Sequence, residues 1–210
     1  MVKLVATVVG ILVLLLVNEL YWRKHNVHEE FSRKFIHITV GSFVAFWPFF
    51  LSWREIELLS VAFFVVVAVS RYLNLFQAIH SVQRSTWGEL FFALAVGAIA
   101  LVTHDQWIYA AALLQMSLAD GLAAVIGVRF GRTSRYHVFG QEKSLIGSLT
   151  FLLVSIAILI GYSLQAPGVG FSAGLIGIAM AATVGENVGV KGSDNLLVPL
   201  LVSLLLCRIS

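Results

Sequence analysis

Charge is scarce in this sequence. Only 12% of its 210 residues are Asp, Glu, Lys or Arg, where an ordinary soluble domain carries about a quarter, so an ordinary soluble fold is excluded. Cysteine is nearly absent: the single Cys207 rules out an internal disulfide and a cysteine-based metal cluster. A cleavable leader is not expected either, because the first apolar run reaches its polar end without a small-residue cleavage site and reads as a first membrane span. No Walker A loop is present. Lys143-Ser144 follow Gly140 at too short a distance, and no glycine directly precedes the lysine.

What fills the chain instead is apolar, 59% of residues, with a mean hydropathy of +0.92. Stretches long enough to cross the roughly 30 Å hydrocarbon layer recur from end to end, and their backbone is satisfied there only by helices or a closed barrel. The sequence predicts an all-α, polytopic integral membrane bundle in one domain, 1–210. Eight spans are expected, near 3–22, 35–53, 55–70, 88–103, 106–128, 145–164, 170–185 and 194–209. The seventh is short and rich in Gly and Ala, as befits a helix packed on neighbours.

Basic residues orient this bundle. Arg23, Lys24, Arg33, Lys34, Arg71, Arg84, Arg129, Arg132, Arg135, Lys143 and Lys191 all follow odd-numbered spans, whereas only Lys3, Arg54 and Arg208 fall on the other side. The richer side is expected in the cytoplasm, which puts both termini outside. Most acids gather on that face too: Glu19, Glu29, Glu30, Glu89, Asp120, Glu142, Glu186 and Asp194. A small transporter or lipid-translocating protein, the alternative from another class, would need a polar path to the outer face. The outer half is nearly devoid of ionisable residues apart from Glu55, Glu57 and Asp105 beside its short loops.

Four inner segments carry the chemistry. In "SRKFIHITVG", helical spacing sets Arg33, Lys34 and His37 on one face, either as a positive-inside anchor or as an anion site. In "RSTWGELFFAL", Glu89 either closes a capping box with Ser85 or Thr86 or stands at a helix N-terminus suited to an anion or metal. Asp120 in "MSLADGLAAVIGVRFGR" is costly inside a span. It is either ion-paired with a base of another span or functional, and Ala123, Gly127 and Gly131 after it allow close approach. The connection that follows holds Arg129, Arg132, Arg135, Lys143 and Gly140, a flexible basic loop suited to phosphates or to a lipid surface. In "GENVGVKGSDNLLVPL", Ser193 or Asp194 can cap the last span. Glu186, Asp194 and Asn195 also offer hard oxygen ligands of the kind Mg²⁺ takes beside nucleotide phosphates, and Pro199 frees the Asn195 carbonyl. Together these are the parts phosphoryl transfer requires.

Five segments, "RKFIHITVG", "STWGELFFAL", "ADGLAAVIGVRFG", "FGQEKSLIGSL" and "GENVGVKGSDNLLVPL", resemble in order the signature segments of the dolichol kinase, phytol kinase and CTP-dependent diacylglycerol kinase superfamily. The resemblance covers about residues 32–202. It implies CTP-dependent phosphorylation of a lipid alcohol, polyprenol or phytol-like, with a divalent cation, Mg²⁺ or another, at a cytoplasm-facing site. Diacylglycerol kinase and phosphatidate cytidylyltransferase are the alternatives among enzymes. By matching positions it implies Asp120, His37 and Glu89 as catalytic residues and Asp120, Glu186 and Asp194 as metal ligands. Nucleotide and phosphate contacts would come from Arg33, Lys34, Gly121, Gly127, Gly140, Lys143, Ser144, Gly147 and Asn195, joined by Arg129 and Arg132 from the basic loop. The chain has Ala119-Asp120-Gly121 where the superfamily often has Gly-Asp-Gly, Gln141-Glu142 before its Lys143-Ser144, and Ala93 where a proline is common. The expected partners are the lipid alcohol, a nucleotide and membrane lipids, with no nucleic acid; homo-oligomerisation stays open.

Overall fold

The computed structural model describes residues 2–25, 29–72, 87–166 and 168–209. Nearly all of them lie in eight helices: α1 (Val2–His25), α2 (Glu29–Ala45), α3 (Trp53–Tyr72), α4 (Gly88–Val102), α5 (Gln106–Phe130), α6 (Leu145–Gln165), α7 (Ala173–Val188) and α8 (Asp194–Ile209). Each overlaps one expected apolar run. The second differs most, starting earlier, with Arg33 and Lys34 inside the helix, and stopping at Ala45. Pro48 explains the stop: it lies in a 3₁₀ turn, Trp47–Phe49, and has no N–H to give the carbonyl four residues back, that of Val44.

Among the described residues, three segments are long and apolar enough to cross a membrane, Val2–Tyr21, Gln106–Phe130 and Leu145–Gln165; Gly88–Val102 and Ala173–Val188 are apolar but shorter. The outside of the bundle suits lipid. Val5, Leu12 and Leu16 on α1, Leu58, Val61 and Val66 on α3, and Leu153 and Leu164 on α6 stand exposed, far more apolar surface than a soluble monomer leaves uncovered.

Helix α5 is central, packed against α2, α6 and α8, while α4 lies between α3 and α8. Tyr109, Leu113 and Met116 of α5 are buried with Phe151, Leu159, Leu175 and Leu206. Two of the three acids expected on the outer side, Asp105 and Glu55, serve as caps. The Asp105 carboxylate accepts from the amides of Trp107 (2.7 Å) and Ile108 (2.9 Å) at the start of α5, and Glu55 accepts from the Ser52 amide and hydroxyl before α3. Both satisfy N–H groups that a helix start leaves orphaned.

The expected all-helical architecture needs one correction. The basic connection between α5 and α6 is a β-hairpin, β1 (Arg135–Val138) against β2 (Gln141–Ser144), with Val138 opposite Gln141. Phe139 (φ 46°) and Gly140 (φ 76°) form its two-residue turn, the left-handed pair that matches the twist of the flanking strands. Gly140 is therefore a turn residue at an exposed tip.

Candidate active site

Asp120 owes its setting to a break in helix regularity. Residues Gln115–Ala119 form a π-turn inside α5, and the Asp120 amide donates to Gln115 O and Ser117 O. An α-helix would send that amide to Met116 O, so the π-turn releases the Met116 carbonyl. His37 on α2 takes it up, with Nε2 3.0 Å from Met116 O. A carbonyl only accepts, so Nε2 carries the hydrogen and Nδ1 is the nitrogen left to accept a proton.

Helix α2 comes this close because two glycines allow it. A Cβ at Gly121 would overlap Ile38, and one at Gly41 would overlap Ser117. Through this contact Lys34 reaches Asp120, Nζ to Oδ2 at 2.8 Å, and His37 Nε2 stands 3.9 Å from the same oxygen. The Asp120 charge is thus met by a lysine 86 positions away in sequence. That pair is the structural alternative that the sequence left open for Asp120.

The other acids come from the far end of the chain. Glu186 closes α7 and Asp194 opens α8, and the turn between them is shaped by glycine. A Cβ at Gly189 would lie 2.6 Å from Asp194 Cβ, while Gly192 (φ 89°) sits against the Gly88 backbone at the start of α4. The Trp87 amide donates to Lys191 O (3.0 Å) and Asn195 Nδ2 donates to Gly88 O (3.0 Å). The second and fifth signature segments are thereby clamped together. Ser193 closes the turn itself, accepting from the Val190 amide.

One carboxylate oxygen each from Asp120, Glu186 and Asp194 lies within 4.8 Å of the others. Asp120 and Glu186 are 6% exposed. Lys143, from β2, completes the cluster by pairing with the Glu186 carboxylate while donating to its backbone carbonyl (3.0 Å). Three acids, two lysines and an imidazole therefore meet from α2, α5, β2, α7 and α8. Three close oxygen ligands fit a hard divalent cation that keeps waters or phosphate oxygens in its remaining positions.

Other residues singled out in the sequence stand on the elements around this cluster. Arg129 and Arg132 are exposed, and the Arg129 guanidinium rests over the Phe130 ring at 5.3 Å. Gly127 and Gly147 are packing residues: a Cβ at Gly127 would come within 3.2 Å of Gly147 Cα and 2.8 Å of Ser144 Oγ. Ser144 caps α6, accepting from the Gly147 amide at 3.1 Å. Glu89 stands half-buried in the first turn of α4; its suggested capping partners Ser85 and Thr86, like Arg84, lie outside the described residues. Arg33 is half-buried beside Lys34 on α2.

The sequence offered no signal for the π-turn, nor for Asn187, whose side chain binds both Tyr136 and Ser148. The hairpin carried a weak one: two short alternating runs, "RYHV" and "QEKS", around Phe-Gly.

Comparison with known proteins gives three relatives. The chain is 36% identical over 209 residues to "Phytol kinase" of Synechocystis sp. (strain ATCC 27184 / PCC 6803 / Kazusa), covering 95% of this chain and 87% of that protein. It is 30% identical over 203 residues to "Probable phytol kinase, chloroplastic" of Triticum aestivum, and 31% identical over 209 residues to "Probable phytol kinase 1, chloroplastic" of Glycine max. The matches take in 83% and 85% of this chain and span 65% and 66% of the plant proteins. No family model matches the chain, and no solved structure does.

Proposed function

The chain belongs to the phytol kinase family, and from that premise we propose that it phosphorylates a lipid alcohol of the phytol or polyprenol kind, with CTP as the expected donor. The observation that carries this reading is the meeting of Asp120, Glu186 and Asp194 within 4.8 Å, flanked by Lys34 and Lys143. Phosphoryl transfer depends chiefly on positioning and on charges set around the phosphates, and this inventory suits it.

In the proposed reaction the lipid hydroxyl oxygen forms a bond to the γ-phosphorus. The bond from that phosphorus to the bridging oxygen breaks, and the hydroxyl proton passes to the base beside it, His37 Nδ1 or the Glu89 carboxylate. The products are a lipid monophosphate and a nucleoside diphosphate. Asp120, Glu186 and Asp194 would hold Mg²⁺, which when bound neutralises charge on the phosphates. Lys34 and Lys143, both poised on carboxylates of this cluster, add donors for phosphate oxygens. His37, with Nε2 committed to Met116 O, has Nδ1 left as the base that orients the acceptor hydroxyl. Glu89, in the first turn of α4, is the other candidate for that task. The isoprenoid tail stays in lipid beside α2 and α4, where the Phe92 ring meets His37 edge-on at 5.6 Å.

The eight helices would all span, with both termini outside and the carboxylate cluster towards the cytoplasm, as the basic residues of the inner connections suggest.

A donor-by-acceptor matrix on purified protein tests the reading: γ-labelled CTP or ATP against phytol, a polyprenol and diacylglycerol. Label on phytol or the polyprenol, with nucleoside diphosphate released, is expected. Pyrophosphate release would instead identify a cytidylyltransferase, label on diacylglycerol alone a diacylglycerol kinase, and no labelled lipid from any pair would defeat the kinase reading.

A further inference from the structure

We infer that Tyr136 is a positioning residue for Lys143: it bolts the β-hairpin to the end of α7 and so fixes where the lysine meets the phosphates. The inference rests on the kinase reading of the site.

The strand register brings the two side chains together. Tyr136 pairs directly with Lys143 across the hairpin, so both project from one face. That face is the half-buried one, whereas Arg135, His137 and Glu142 of the opposite face are exposed. The two inward side chains then grip consecutive residues of α7. Lys143 takes the Glu186 carboxylate and carbonyl. The Tyr136 hydroxyl donates to Asn187 Oδ1 and accepts from Ser148 Oγ at 2.5 Å. Ser148 Oγ also stands 3.0 Å from Asn187 Oδ1, and Asn187 Nδ2 donates to Thr183 O (2.8 Å), which holds the amide in one orientation.

An anchor of this kind is needed. A two-stranded hairpin is marginal by itself, and a lysine reaches its target through a flexible four-carbon stem. The Arg135–Glu142 pair, 2.5 Å apart on the exposed face, adds little, because solvent screens it. The bond from the Leu145 amide to Ser134 O (2.9 Å) closes the hairpin base but leaves its blade to the Tyr136 network.

Tyr136→Phe removes one oxygen and keeps the ring. In full-length purified protein, the KM for nucleotide is expected to rise about ten-fold, the factor that roughly 1.4 kcal/mol represents, with the KM for lipid alcohol unchanged. A double-mutant cycle separates positioning from general damage: in a Lys143→Met background, Tyr136→Phe should add little, since both act through one ammonium. Amide hydrogen exchange over residues 135–144 should speed up while α5 keeps its protection. An unchanged nucleotide KM, or the same penalty with and without Lys143, overturns the inference. A wild-type protein inert towards every donor and acceptor defeats the kinase reading instead. The exchange comparison then still decides the anchor, and unchanged protection of 135–144 refutes it.

Discussion

At the scale of single residues, Asp120 is a buried charge whose cost is offset by one specific partner. Lys34 holds its Oδ2 at 2.8 Å, and removing one member of a buried pair leaves the other uncompensated, at about 3–5 kcal/mol. Lys34→Met should therefore destabilise the protein by several kcal/mol. Lys34→Met combined with Asp120→Asn should restore part of that loss in denaturant unfolding in detergent; a double variant no more stable than Lys34→Met would argue against the pair. Asp120 stood out in the sequence because a carboxylate in an apolar run is conspicuous. Its partner could not be named, since pairing across 86 positions is set by helix packing and leaves no local pattern. Tyr136 and Asn187 were hidden for a similar reason: each is an unremarkable residue locally, and only the hairpin register joins them.

At the scale of elements, the site depends on how closely α2 approaches α5. Gly121 faces Ile38 with no room for a Cβ, so Gly121→Ala should overpack the contact at about 1–3 kcal/mol and lower kinase turnover by moving Lys34. Ile38→Ala in the same chain should return most of both. Failure of that rescue, read as melting temperature and activity together, would show that the glycine acts in some other way. The π-turn makes a sharper case, because it amounts to one residue inserted into a helix. Deleting Leu118 should convert 115–119 to regular α-helix, with the Asp120 amide still on Gln115 O but the Met116 carbonyl now taken by the Gly121 amide, and so release His37 and lower activity while the protein still inserts and folds. Activity retained after that deletion would contradict the role given to the π-turn. Helix positions were legible from hydropathy because each apolar run must satisfy its own backbone. The hairpin was not, since four-residue strands rich in polar residues look like loop until Lys143 and Tyr136 are seen gripping α7.

At the scale of the whole molecule, the described residues form a helical bundle with an apolar exterior around a cluster of three carboxylates. The expected orientation can be tested with thiol labelling, since Cys207 is the only cysteine. In a Cys207→Ser background, Lys3→Cys should react with an impermeant maleimide on intact cells, whereas Glu142→Cys, at the exposed hairpin face, should react only after permeabilisation. The reverse pattern would move the site to the other side of the membrane. In the proposed function three carboxylates from α5, α7 and α8 form the metal-dependent centre of a lipid alcohol kinase. Its most direct measurement is transfer of the γ-phosphoryl group of CTP to phytol as Mg²⁺ is titrated into chelator-treated protein, wild type beside Asp120→Asn. Wild-type transfer should be absent without the cation and rise saturably with it, while Asp120→Asn falls by about 100-fold or more, the upper end of what disturbing a metal's surroundings costs. Transfer that ignores the chelator, or an Asp120→Asn protein as active as wild type, would contradict the assignment.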